Sequence, residues 1–169
     1  NLNQNLLTET DNFGFEAWVK ADILDSFNFA VSAGTNYGGI ALIQQGNKWG
    51  ILQMGVGWSV PATADVTIGQ WQHIAAVCNA GNLTLYVDGV AIASGPNTAL
   101  PIQPSFTIGA NDKVNGGSGH SDSPVFEGFW KGSIDHVRVF TFPPGLFDPM
   151  TDLNLAPPVK AYDPIPSDK

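Results

Sequence analysis

Trp58 stands between glycines in Gly55-Val-Gly-Trp-Ser-Val60, and Tyr37 sits in Thr35-Asn-Tyr-Gly-Gly39. Both rings fall at strand ends, where a large aromatic side chain projects into solvent. A flat exposed ring stacks on the apolar face of a pyranose, while amides and carboxylates around it bond the hydroxyls. Trp49 opens the segment 48–55, and Asn36, Gln44 and Gln53 lie close by in sequence. Asn36, Tyr37, Gln44, Trp49, Gln53 and Trp58 together form the expected sugar platform, with Trp130 near its rim beside Glu127. The competing reading packs the same rings under loops.

Catalytic constellations are harder to find. Glycoside hydrolysis needs two carboxylates flanking the scissile bond, and the chain has only three glutamates, at positions 9, 16 and 127. No Gly-x-Ser-x-Gly elbow, His-Glu-x-x-His pair, Cys-His zinc spacing or phosphate-cradling Gly-x-x-x-x-Gly-Lys occurs. His73 lies within an apolar strand, His136 follows Asp135, and His120 falls in a polar loop. A non-enzyme is expected.

The elements that must carry these residues are strands. Apolar residues alternate at Ile74, Ala76 and Cys78 and again at Leu83, Leu85 and Val87, the period of two of a half-buried strand. Asn79-Ala-Gly-Asn82 and Asp88-Gly89 separate them from each other and from Val90-Ala-Ile92, which predicts a three-stranded meander with tight turns. Further strands are expected at residues 27–32, 39–45, 48–55 and 105–109, a crossing segment at 61–69, and a polar loop at 110–124. The lone Cys78 reads as a small buried hydrophobe.

Composition agrees. Charged residues make up only 13% of the chain, too few to wet the outer faces of long amphipathic helices, and 19 Gly and 12 Pro supply many turns. A net charge of −8 with seven scattered basic residues argues against nucleic acid and anionic membrane surfaces as partners. Membrane insertion is not expected, because no apolar run reaches the roughly 18 residues of a spanning helix. The chain lacks an initiator Met and a signal-peptide pattern, and reads as a mature protein or an excised domain. Seven of the 12 prolines lie beyond residue 142, so residues 1–142 are expected to form one domain and 143–169 a Pro-rich strap or linker without helix.

Trp71-x-His73-Ile-Ala, followed by Leu83-Thr-Leu-Tyr-Val-Asp-Gly89, resembles the strand signature of laminin-G-like, concanavalin A-like lectin domains. Phe13-Gly-Phe-Glu-Ala-Trp-Val-Lys20 resembles the early strand of that family, and Gly132-Ser-Ile-Asp-His-Val-Arg-Val-Phe140 its closing strand. The resemblance spans residues 10–142 and implies an all-β fold, a two-sheet antiparallel β-sandwich of the jelly-roll type. The expected core is Phe15, Trp18, Trp71, Ile74, Leu83, Leu85, Val87, Ile108, Ile134 and Val137.

The resemblance also implies carbohydrate recognition in an extracellular or cell-envelope protein, with a glycan or polysaccharide as partner. A protein–protein adhesion or spacer module is the alternative, since this fold hosts many functions. The laminarinase branch places its carboxylates as Glu-x-Asp-x-x-Glu. The nearest match here, Glu9-Thr-Asp11-Asn-Phe-Gly14, lacks the second Glu.

Calcium (Ca2+) is the cofactor the resemblance implies. Hard cations take six to eight oxygens, often from one curling loop. The segment Ile108-Gly-Ala-Asn-Asp112 resembles the loop in which pentraxins hold calcium, which makes Asn111 and Asp112 expected ligands and Asp122 a third. Asp135, whose position in Gly-Ser-Ile-Asp recurs in the family, is a second expected site, with Asp11.

Overall fold

A computed structural model describes residues 11–55, 57–99, 105–113 and 125–159. Its strands are β1 (Asn12–Ala21), β2 (Asp25–Thr35), β3 (Gly38–Gly46), β4 (Lys48–Met54), β5 (Gly57–Asp65), β6 (Gln72–Asn79), β7 (Asn82–Val87), β8 (Val90–Pro96), β9 (Phe106–Ile108), β10 (Asn111–Lys113), β11 (Val125–Glu127) and β12 (Gly132–Thr141). One short helix, α1 (Pro149–Asp152), follows. The strands form a five-stranded sheet, β12-β1-β6-β7-β8, and a seven-stranded sheet, β11-β10-β2-β3-β4-β5, in which β9 also pairs with β2. Pairing is antiparallel except where Asp112 of β10 meets Thr35 of β2.

The meander forms as its alternation predicts. Ala80-Gly81 and Asp88-Gly89 are its two-residue turns, with φ of 49° and 76° in the first and 50° and 79° in the second. Positive φ at both central positions is the type I′ geometry that matches strand twist. Inward positions Phe13, Phe15, Ala17 and Val19 of β1 meet Ile74, Ala76, Leu83 and Leu85 beside them and Val31, Ile40, Leu42 and Ile51 across the sandwich.

Three expected core residues differ. Trp18 is buried on the other face of β1, where its indole Nε1 donates to Asn154 O at 2.9 Å. Ile108 is 55% exposed, and Trp71, just before β6, stays half-buried beneath the Lys20 ammonium, 5.4 Å from its ring centre. Ile134 and Val137 pack partly buried against the core.

Segment 61–69, expected to cross between strands, instead extends β5 to Asp65, and the expected loop after Ala110 begins with β10. The Pro-rich segment, expected to lack helix, contains a turn and one short helix. Residues 143–146 make a turn closed by Leu146 N donating to Pro143 O at 3.1 Å, with Pro144 second and Gly145 third at φ 72°, the residue pattern of a type II turn. The helix starts because Asp148 accepts from Met150 N at 2.9 Å and Pro149 supplies a ready-made φ at the first position. Beyond it, Leu153 is buried on Ala75 and Val77, with Tyr86, Phe140, Phe142, Phe147 and Leu155 packed around them. Residues 143–155 therefore cover the outer face of the five-stranded sheet.

Candidate functional site

Phe27, Phe29, Leu52 and Met54 line a groove of about 250 Å³ on the outer face of the seven-stranded sheet, walled by Asn36, Gln53, Gly55, Asn111 and Glu127. A β-bulge places this floor. Phe29 pairs with Ile43 and Val31 with Leu42, so Ala30 is an extra residue, and Phe29 faces out while Val31 faces in. Phe27 packs edge-on against Phe29, ring centres 5.1 Å apart, and both Phe27 and Leu52 remain half-buried.

The polar wall is ordered by its own hydrogen bonds. Ser32 Oγ donates to Asn111 Oδ1 at 3.0 Å, and Asn111 Nδ2 donates to Glu127 Oε1 at 3.4 Å across the β10–β11 pair. Because Asn111 Oδ1 is engaged by the serine, the amide nitrogen is the end turned toward the carboxylate. Among the described residues lining the groove, Glu127 is the single carboxylate.

The expected platform divides. Asn36 lines the groove, and Tyr37 beside it is 42% exposed, its backbone N donating to Thr35 Oγ1. Trp49 is a correction: it is 1% exposed, stacks on Trp130 with ring centres 5.6 Å apart, and donates from Nε1 to Gln72 Oε1 at 3.1 Å between the sheets. Trp130 thus supports the core rather than standing at a rim.

Gln44 and Gln53 turn inward for the same reason, although Gln53, like Asn36, still lines the groove. Strand alternation puts 49, 51 and 53 on one face, and the core takes Ile51, so Trp49 and Gln53 turn inward with it. Gln44, directly opposite Trp49, donates to Ile23 O and Gly46 O, each at 3.0 Å. Gln53 donates to Pro96 O at 2.9 Å and accepts from Thr98 N at 2.7 Å. The backbone of Trp58 pairs with Leu52, and its side chain lies outside the described residues.

Of the residues expected to hold calcium at two sites, Asn111 and Asp112 lie on β10, and Asp135 and Asp11 lie toward opposite ends of β1. Asn111 and Asp112 are successive residues of β10, so their side chains leave opposite faces, and each is 1% exposed. Asn111 is engaged as above, and Asp112 Oδ2 accepts from Ser105 Oγ at 3.0 Å. Asp135 pairs with Trp18, whereas Asp11 precedes the far end of β1. Seven residues of strand separate Asp11 from Trp18, roughly 23 Å, so Asp11 and Asp135 cannot share a cation. Asp135 Oδ1 instead accepts from His136 N at 2.7 Å. Asp122 lies outside the described residues. Among the described residues no group of three or more His, Cys, Asp or Glu could hold a metal ion.

Sequence reasoning missed Phe27, Phe29, Leu52 and Met54, and named Glu127 only as Trp130's neighbour at the rim. The signal for Leu52 was present: Ile40-Ala-Leu-Ile43 and Ile51-Leu52 are unbroken apolar runs, as in strands with apolar surface on both faces. The bulge at Ala30 carries no comparable mark.

Many solved structures resemble the chain, three of them as follows. A native heptameric SAP-like pentraxin from Limulus polyphemus shares 16% identity at a TM-score of 0.53, over 76% of this chain and 63% of its own. A candidate carbohydrate binding protein from Bacteroides ovatus shares 20% at a TM-score of 0.57, over 79% and 38%. Domain 4 of AbnA, a GH43 extracellular arabinanase from Geobacillus stearothermophilus, in complex with arabinotriose, shares 21% at a TM-score of 0.50, over 80% and 63%. The chain thus spans less than two thirds of each of these structures, and at such identities the likeness is one of fold. No curated protein matches the chain. Its residues 1–143 match the laminin G-type family described as the concanavalin A-like lectin/glucanases superfamily, and the chain belongs to that family.

Proposed function

We propose that this protein binds a glycan without catalysis, in the groove on the outer face of the seven-stranded sheet. The observation that carries the reading is an apolar floor, Phe27, Phe29, Leu52 and Met54, beside an ordered polar wall, Asn36, Asn111 and Glu127. Phe27 and Leu52 offer surface for the C–H face of a sugar ring. The Glu127 carboxylate accepts from hydroxyls and the Asn36 amide bonds them in either sense.

The non-catalytic part is supported by Glu127 being the one carboxylate among the described groove residues, where hydrolysis of a glycosidic bond by the usual route needs two. Glu16 does not supply the second, being buried on the opposite sheet. An extracellular or cell-envelope setting belongs to this proposal. So does a partner without phosphate backbone: Lys48, Lys131 and Arg138 are each paired with a carboxylate. No helix among the described residues is long and apolar enough to cross a membrane.

The adhesion reading is favoured by a different feature. Ile108 and Phe129, 55% and 59% exposed, border a hollow with Phe126 at the β9–β10 edge, the kind of apolar surface a protein partner covers. A screen of soluble glycans and insoluble polysaccharides, run on the parent and on Phe27→Ala, separates the two. Retention by the parent and its loss in the variant supports the groove. No retention of any glycan by the parent overturns the glycan reading.

A further inference from the structure

The outer face of the five-stranded sheet holds the backbone of one residue, Asn154, by both its N–H and its carbonyl. Glu16, fully buried, accepts the Asn154 backbone N–H at 3.2 Å on Oε1 and 3.3 Å on Oε2, and Trp18 Nε1 donates to the Asn154 carbonyl at 2.9 Å. Two residues back, Arg138 donates to the Asp152 carbonyl. On either side of Asn154, Leu153 is buried on Ala75 and Val77, and Leu155 reaches the β7–β8 turn, so close that a methyl group on Gly89 would collide with it.

The receiving groups are preorganised. Arg138 Nε donates to Glu16 Oε1 at 2.6 Å, and His73 Nε2 lies 3.1 Å from Glu16 Oε2, so side chains of β12 and β6 in the sheet itself hold the carboxylate. Backbone hydrogen bonds supply affinity and alternate side-chain contacts supply specificity in recognition of extended peptides, and both are present here. The segment is also separable from the sandwich: among the described residues every strand ends by Thr141, the family match ends at residue 143, and the turn at 143–146 intervenes.

We propose that this face is a recognition site for an extended peptide, that residues 152–155 of the chain are its resident ligand, and that the same segment of a second copy replaces them in trans. Covalent attachment gives the resident segment an effective concentration in the millimolar range, so it wins at ordinary protein concentration. Exchange of an identical segment between copies creates no contact that one copy does not already make. The inference is independent of the glycan groove on the other sheet.

A labelled synthetic peptide of residues 147–155, standing for the segment of a second copy, is titrated by fluorescence anisotropy against the full chain. Asn154→Pro removes the N–H that Glu16 holds, and Leu155→Ala weakens the resident segment without touching Glu16. Either variant is expected to bind the peptide at least tenfold more tightly than the parent. Adding Glu16→Gln to Asn154→Pro is expected to reverse the gain. Weakened variants that melt cooperatively yet bind no more tightly than the parent overturn the proposal. So does full retention of binding after Glu16→Gln.

Discussion

Phe29 and Val31, two residues apart on β2, face opposite sides of the seven-stranded sheet because Ala30 is an insertion between the pairs Phe29 with Ile43 and Val31 with Leu42. The bulge gives one strand two jobs, a core contact from Val31 and a groove floor from Phe29. Substitutions at the two positions are therefore expected to separate stability from binding. Val31→Ala should cost about 2 kcal/mol in denaturant unfolding, from lost apolar burial, and leave polysaccharide retention intact. Phe29→Ala should lower both. Equal retention by the two variants would refute the division.

The polar wall makes a sharper case, because Glu127 contributes to the groove without belonging to the core. Glu127→Gln keeps shape and removes the charge, halving the acceptor capacity offered to hydroxyls. Retention of the best-bound polysaccharide is expected to fall about tenfold, the effect of losing roughly 1.4 kcal/mol of charge-assisted hydrogen bonding, with the melting temperature changed by no more than a few degrees. Affinity electrophoresis beside a thermal melt distinguishes that outcome from general destabilisation.

Much of the architecture was legible because alternation and turn chemistry are local. The meander from Gln72 to Pro96 follows from period-two apolar residues and from Ala80-Gly81 and Asp88-Gly89, which accept positive φ. The site was less legible because facing is relative. Residues 49 to 54 contain apolar side chains of both parities, and only contact with the opposite sheet decides that Trp49 and Ile51 go in while Leu52 and Met54 go out. Burial of Asn111 and Asp112 was hidden for a related reason: their partners Ser32 and Ser105 are 79 and seven residues away, and ordinary in sequence.

Trp49 offers a direct check on that assignment. Its indole is stacked on Trp130 and bonded to Gln72, whose Oε1 also accepts from Thr67 N at 2.7 Å. Trp49→Ala should cost about 3–5 kcal/mol, the usual range for deleting a large core aromatic. Trp49→Phe, which keeps part of the stack and loses the N–H, should cost less. If Trp49 instead formed a sugar platform, Trp49→Ala would abolish retention while leaving the unfolding midpoint in place.

Calcium enters through the same geometry. Asn111 and Asp112 leave opposite faces of β10, and Asp135 lies one strand length from Asp11, so neither expected pair brings its two side chains to one ion. If these side chains are the whole of a calcium site, millimolar calcium and a chelator are expected to give identical melting temperatures and identical polysaccharide retention. A calcium-dependent rise of several degrees would contradict this and restore a metal to the fold.

Glu16 predicts an acid-sensitive strap. Its carboxyl is buried, which raises its pKa, yet hydrogen bonds and charge from His73 and Arg138 outweigh the desolvation and hold it below the ordinary value of 4.5. Asp88 Oδ1 accepts from His73 N, and Asp152 accepts from Arg138 through its carbonyl, so the charged groups around Glu16 are themselves tied down. A carboxyl with a lower pKa folded than unfolded stabilises the fold fully above the unfolded value, and that contribution drains away as pH falls through the folded value. Glu16→Gln should therefore cost about 3 kcal/mol at pH 7, the low end for removing one member of a buried ion pair, because Arg138 retains partial solvent access. The difference between parent and variant should stay flat above about pH 5.5 and shrink steadily below 4.5. Chemical unfolding of both proteins from pH 3 to 8 measures it, and a difference independent of pH would show that Glu16 holds the strap by shape and not by charge.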